Sequence, residues 1–422
     1  MFNKINTYYS KHPLRTILLA GLFFRILAVA FSKGFGWIDD QFLIIEIAQS
    51  WIDGVDYYGW LPDDEGINKP KGFSFFYVGL HYLLFRFLEF FKVTDAQTKM
   101  YIVRLIHAIW SLLIITSGYK IAKVLGGDKS ANITGWLLAL LWLFPFLSVR
   151  NLVEFVSIPL LILGMQLIIA DTDTDKNKIW HWLWIGILFG IAFNIRYQTI
   201  LFTGGIGLVL LFQRKWKEAS LVASGILLTI VLIQGIIDYM IWGTAFVQLL
   251  GYVDYNMQHA TEYLTAPWYF YLLVIFGLLI PPVSIFMAFG FFTNWKKTII
   301  IFFPTLLFIM FHSVFPNKQE RFIITILPFF IIGGIIGWQM ITKQIDQKPR
   351  LKSWHKAAWV FFWLANIILL IPVSTMYSKK ARVEAMVYLS KYDDLNYFLV
   401  EDVNKSILRF PPMFYLENWA QY

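Results

Sequence analysis

Apolar residues fall along this chain in long blocks separated by short polar interruptions. Crossing the hydrocarbon of a bilayer takes about 20 mostly apolar residues. Runs of that character lie near 16–31, 73–91, 101–123, 131–148, 152–170, 180–195, 198–212, 218–242, 268–292, 298–315, 322–342 and 356–376. Each predicts a helix, because backbone in lipid must satisfy its own N–H and C=O groups. Only a few residues separate 131–148 from 152–170, so these two form a tight antiparallel hairpin. Two longer polar stretches, 33–71 and 243–266, interrupt the series, and a polar tail, 378–422, closes it. The pattern predicts one polytopic domain over 1–377 with a short extracytoplasmic tail. It holds no internal repeat and no low-complexity segment.

The charges orient these helices. Lys4, Lys11 and Arg15 place the N-terminus in the cytoplasm, where loops collect Lys and Arg. The stretch 33–71 carries Asp39, Asp40, Glu46, Asp53, Asp56, Asp63, Asp64 and Glu65, and belongs on the other side. The clusters Lys120/Lys123/Lys129, Arg214/Lys215/Lys217, Lys296/Lys297 and Lys343/Lys348/Arg350/Lys352/Lys356 should all be cytoplasmic. With twelve crossings, every cluster from 120 onward falls on the wrong side. With eleven, all agree. The run 73–91, which carries His81, Arg86 and Glu89, is the one to demote to a re-entrant or interfacial helix. The extracytoplasmic face then gathers 33–71, Arg150, Arg196, 243–266, 316–321 and the tail.

Composition narrows the class. A soluble domain cannot hide a chain that is 58% hydrophobic and 19% aromatic, so lipid is its solvent. The net charge of +9 lies in loop ends rather than one patch, which argues against nucleic acid. With no cysteine, disulfides, thiolate metal sites and cysteine nucleophiles are excluded. The N-terminal stretch lacks a small-residue cleavage site, and is expected to remain as the first helix.

Candidate chemistry sits in the polar interruptions. Asp39 and Asp40, between Trp37 and Phe42, offer a general base whose pKa partial burial would raise. The plainer reading makes Asp40 the N-cap of an amphipathic stretch, 42–51. Lys69 and Lys71 either grip a lipid phosphate or anchor at the headgroups. Arg150 and Glu154, four apart, either pair on one helical turn or face a cavity. Arg196 lies between apolar runs without a local partner, a better phosphate candidate. Lys318 and Arg321 are two more cations for phosphate, with Glu320 to orient them or a sugar hydroxyl. Asn256, Tyr263, Trp268 and Tyr269 suit either an interfacial aromatic belt or stacking on sugar faces. Walker, dinucleotide, HExxH and nucleophile-elbow motifs are absent, which turns attention to a lipid-bound substrate.

Taken together these residues resemble the GT-C class of membrane glycosyltransferases, and more narrowly the family 22 mannosyltransferases that use dolichyl-phosphate mannose. Asp39-Asp40-Gln41-Phe42 matches the place of that family's acidic motif, Arg150 and Glu154 its hairpin pair, and Lys318-Gln319-Glu320-Arg321-Phe322 its late motif. Asp238, Trp242-Gly243, Asn256, Tyr263 and 267–272 follow the order of its second loop. The chain departs from the family at Asn317, where a His is usual, at the inserted Gln319, and in reading Asp-Asp for Asp-Glu.

The resemblance implies an all-α, GT-C-like bundle of about 11–13 transmembrane helices, with juxtamembrane helices in a large first extracytoplasmic loop. It implies an inverting transfer, most simply of mannose, from a polyprenyl- or dolichyl-phosphate sugar to a glycan or lipid-linked acceptor. Asp39 or Asp40 is the expected base. Lys318, Arg321, Arg196, Lys69 and Lys71 are expected on the phosphate, and Glu320, Arg150, Glu154, Asn256, Tyr263, Trp268 and Tyr269 around the substrates. No cofactor is required and no metal ligand set stands out. A multi-pass protein of a bacterial inner membrane is expected, with the endoplasmic reticulum as alternative and its active site extracytoplasmic. A transporter or a flippase-like component of envelope polysaccharide assembly is the competing class; against a transporter stand the missing repeat and the charges gathered at one face.

Overall fold

A computed structural model describes residues 8–420 apart from 64, 67, 171–177, 263, 393 and 402–409. Among them the chain is helical, with only isolated backbone bridges besides. Seven helices among the described residues are long and apolar enough to cross a membrane, and eight if one bent pair counts as a single span. Helices Thr199–Phe212 and Ile299–Val314 are shorter apolar segments between them.

The run 73–91 forms a 16-residue helix, Phe75–Phe90, which is not among the membrane-length ones. It packs on Glu46–Ile52 in the first loop region. The runs 101–123 and 131–148 meet within one continuous helical stretch, Ala96–Leu140, that reverses at Gly127. There φ is +78°, a conformation that favours glycine. Tyr119 Oη lies 3.3 Å from Asn132 Oδ1 across the resulting antiparallel pair. The run 268–292 departs from a single straight helix. Phe270–Leu278 and Val283–Thr293 are bent by 119° at a break holding Pro281 and Pro282, which cannot donate the helix's N–H bonds.

Buried polar groups hold the loops above this bundle. Arg25, inside helix Pro13–Phe31, donates to Ser111 Oγ at 2.7 Å and to Ala139 O at 3.1 Å, where helix Leu112–Leu140 runs out of partners for its carbonyls. The tail is part of the core. Met413, Phe414, Tyr415 and Leu416 are buried, and Phe414 stacks on Phe85 at 5.6 Å. Its N–H donates to the buried carboxylate of Glu46 at 3.0 Å. Two bridges, Gly34 with Ser378 and Thr265 with Asn317, tie the first loop to the tail and the second loop to the late motif. These ties bring 33–71, 243–266 and 316–321 into one neighbourhood.

Candidate active site

The acidic pair opens the first loop. Ile38–Asp40 is a single helical turn that continues as a π-helical turn, Gln41–Ile45, and then as helix Glu46–Ile52. Wide turns of this kind occur often at functional sites. The neighbouring carboxylates take opposite environments. Asp39 is about half exposed and lines a cleft of about 780 Å³. Asp40 is buried, and one of its oxygens has no hydrogen-bond partner. It makes no side-chain cap bond, so the N-cap reading fails. Burial foremost, then the charges of Glu154 and Asp39, push its carboxyl well above the usual range, against the pull of Arg321 and Arg150.

Glu154 organises the cations. It opens the short helix Val153–Val156, is fully buried, and lies 3.0 Å from Arg196 Nη2 and 3.7 Å from Arg321 Nε. Arg321 also bonds Asp39 through Nη2, and Gln319 Oε1 accepts from its Nε at 2.8 Å. Gln198 accepts from Arg196 Nη2 at 2.9 Å. Asp39, Glu154, Arg196 and Arg321, spread over 282 residues of chain, thus form one cluster. Of the two readings of Arg150 and Glu154, the pair on one helical turn does not form, because the chain turns between Leu147 and Val153 instead of running as one helix. Arg150 points the other way and ties the loop ends together. It donates to Gly34 O at 2.7 Å, Lys33 O at 3.2 Å, Ser32 Oγ at 2.7 Å and Ser378 Oγ at 3.2 Å.

The structure sorts the remaining candidates. Lys69, Lys71 and Asn256 line the cleft with Asp39, Arg196 and Arg321. Lys318 does not. Its ammonium is held by the carbonyls of His312 and Ser313, both at 3.0 Å, and of Phe315, where it caps helix Ile299–Val314. Glu320, Trp268 and Tyr269 are exposed and are not among the residues that line the cleft. Tyr263 lies outside the described residues. No group of three or more His, Asp or Glu side chains close enough to share a metal ion occurs among the described residues.

Several wall residues were not singled out in the sequence. Trp60, Asp254, Tyr255, Gln258 and His259 all line the cleft. Helix Val247–Gln258 carries most of them, and a relay fixes it in place. Tyr197 donates to Gln234 at 2.8 Å, and Gln234 donates to the buried Asp238 at 2.8 Å. Asp238 accepts the Gln248 N–H at 3.0 Å, and Gln248 accepts the N–H groups of Gly72 and Phe73 at 2.8 and 3.1 Å. The available signal was helical spacing: Tyr252, Tyr255, Asn256 and His259 recur at three and four residues.

Residues 16–417 match the model of the Alg9-like mannosyltransferase family. The chain belongs to that family. A search of curated proteins returned no match. Among solved structures, this Alg9-like chain is similar to ArnT from Cupriavidus metallidurans in its apo state, at 12% identity and a TM-score of 0.66, covering 96% of this chain and 84% of that one. The same enzyme bound to undecaprenyl phosphate gives 14% identity and a TM-score of 0.65 over the same shares. The oligosaccharyltransferase AglB from Archaeoglobus fulgidus, in complex with an inhibitory peptide and a dolichol-phosphate, gives 11% identity and a TM-score of 0.57, covering 98% of this chain and 65% of that one. At these identities the likeness is one of fold, and the Alg9-like chain has the GT-C fold of these enzymes.

Proposed function

We propose that this chain is an inverting glycosyltransferase that moves mannose from a polyprenyl- or dolichyl-phosphate donor to a glycan or lipid-linked acceptor on the extracytoplasmic side of a membrane. Family membership supports a glycosyltransferase, and the polyprenyl phosphates bound by the GT-C enzymes of like fold support a lipid-phosphate donor. The observation that carries the reading is the cluster in which Glu154 is shared by Arg196 and Arg321 beside Asp39, at the edge of an open cleft.

In the reaction, the acceptor hydroxyl attacks the anomeric carbon, and the bond from that carbon to the phosphate oxygen breaks. Both electrons leave with the polyprenyl phosphate, and the hydroxyl proton passes to a carboxylate. Asp39 is the base of choice because it lines the cleft, whereas Asp40 is buried away from it and its carboxyl is pushed upward by that burial. Arg321 and Arg196 stabilise the departing phosphate, with Lys69 and Lys71 lining the same cleft. A phosphate entering the cluster competes with Asp39 for Arg321 and so releases the base as it binds.

The test is transfer by the purified chain in lipid nanodiscs, given radiolabelled polyprenyl-phosphate mannose and a glycan acceptor. Labelled glycan with an inverted linkage is expected, and polyprenyl-phosphate glucose should serve poorly. Donor left intact by folded protein refutes the reading.

A further inference from the structure

Arg104 takes no part in the cleft, and its surroundings differ from those of the other buried cations. It lies on helix Ala96–Trp110 with 0% of its surface exposed. Arg25, equally buried, spends its guanidinium on the Ser111 hydroxyl and three backbone carbonyls. Lys99, on the same helix as Arg104, pairs with Glu89 at 2.7 Å. Arg104 has neither kind of partner. Its Nε and both Nη atoms are buried without a hydrogen bond, and no carboxylate among the described residues pairs with it.

More positive charge and more donors surround it. The Arg104 guanidinium carbon is 4.6 Å from the centroid of the Tyr101 ring, and Lys33 Nζ is 5.6 Å from the same centroid. Arg150 and Tyr415 are close enough to act on its charge. Arg150 Nε and the Tyr415 hydroxyl are themselves buried without partners. Two carboxylates approach this group, and neither offers compensation. Glu46 is spent on Gln41 and the Phe414 N–H, and burial disfavours the charged form of Asp40.

A guanidinium left uncompensated in the interior is costly, and it cannot shed its proton to escape. Its five N–H donors call for a partner that has only lone pairs. Desolvation cost grows with the square of ionic charge, so at this depth a monovalent ion is favoured over a phosphate dianion. Lys33 and Tyr101 are half-buried and lead from the surface toward Arg104.

We propose that Arg104, Arg150 Nε and the Tyr415 hydroxyl form a binding site for a small monovalent anion of the halide class, with Lys33 at its mouth. Arg150 also holds the end of the first helix to the tail through Gly34 and Ser378, so the anion braces that tie. The site stands whether or not the chain is a transferase.

Thermal unfolding of the purified chain in nanodiscs, in chloride and in gluconate at one ionic strength, tests it with screening held constant. Chloride should raise the wild-type melting temperature by about 3 °C or more. Arg104→Met, which keeps the length and removes the charge, should lose that rise. In gluconate it should melt at or above wild type, because the uncompensated charge is gone. Wild-type crystals grown in bromide should show an anomalous scattering peak against the Arg104 guanidinium. Equal wild-type melting in the two salts, as when ordered water alone satisfies the guanidinium, overturns the site. So does a chloride rise that Arg104→Met retains, or a bromide map empty at Arg104, a result that needs no variant to fold.

Discussion

Glu154→Gln tests the cluster most informatively, because it removes a charge while keeping shape. Glu154 is fully buried and faces two guanidinium groups, at 3.0 and 3.7 Å. At an effective dielectric of about 20, each contact is a Coulomb attraction of about 5 kcal/mol before desolvation is counted. The measured cost of removing one partner from a buried pair is about 3–5 kcal/mol, since the remaining charges stay buried and uncompensated. The amide oxygen still accepts one N–H, so a loss near the lower end, about 3 kcal/mol, is expected. The assay is thermal unfolding in nanodiscs with and without polyprenyl phosphate. Without ligand the variant should melt well below wild type. A phosphate between Arg196 and Arg321 replaces the missing charge, so the variant should bind it more tightly than wild type does, and at the same saturating ligand concentration a hundredfold lower Kd narrows the gap by about 2.7 kcal/mol. Saturating polyprenyl phosphate should therefore close most of the gap. A variant that melts like wild type, or a gap that ligand leaves unchanged, refutes the assignment of these arginines to phosphate.

Three further outcomes follow from the same geometry. Burial, opposed by bonds from Gln41 and the tail, raises the Glu46 carboxyl to about 8, from about 4.3 in an unfolded chain. The folded state holds this proton over that window, so Glu46 makes the protein less stable as pH rises toward 8. Melting temperatures from pH 5 to 9 should fall in wild type and flatten in Glu46→Gln, and parallel profiles would contradict the argument. Arg150→Met strips the donors from Lys33 O, Gly34 O and Ser378 Oγ, and should destabilise by about 3 kcal/mol or more in thermal unfolding, with a shift within about 0.5 kcal/mol counting against the tie. Gly72→Ala forces a side chain onto a residue with φ of +75° and into the Tyr252 backbone, so transfer activity should drop about tenfold or more; wild-type rates would show that this contact does not set the cleft.

Much of the architecture was legible because lipid imposes simple rules. Long apolar runs had to be helices, and helices occupy them, the charged run 73–91 included, as Phe75–Phe90. The same logic gathered 33–71, Arg196 and 316–321, and the cleft does draw on all three. Side-chain partners were less legible, because they depend on turns that hydropathy does not record. Arg150 and Glu154 are four apart in sequence yet separated by a chain reversal, and each finds partners more than forty residues away. Lys318 is spent on the carbonyls that end a helix, a demand visible only once the helix end is located. Asp39 and Asp40 are alike in sequence and differ only in which way each faces. The stack of Tyr255 on His259 in the cleft wall, ring centroids 4.2 Å apart, was hidden for another reason: a short helix with one apolar face reads as an ordinary interfacial segment until its other face is seen against a cleft.

The most direct measurement of the central claim is single-turnover transfer from polyprenyl-phosphate mannose by Asp39→Asn, with donor affinity measured on the same preparation. The account predicts that the chemical step slows by about 10²–10⁴. Donor binding should hold or tighten, because Arg321 is freed of its carboxylate. Near-normal turnover would contradict the assignment of Asp39 as the base, and with it the proposed mechanism.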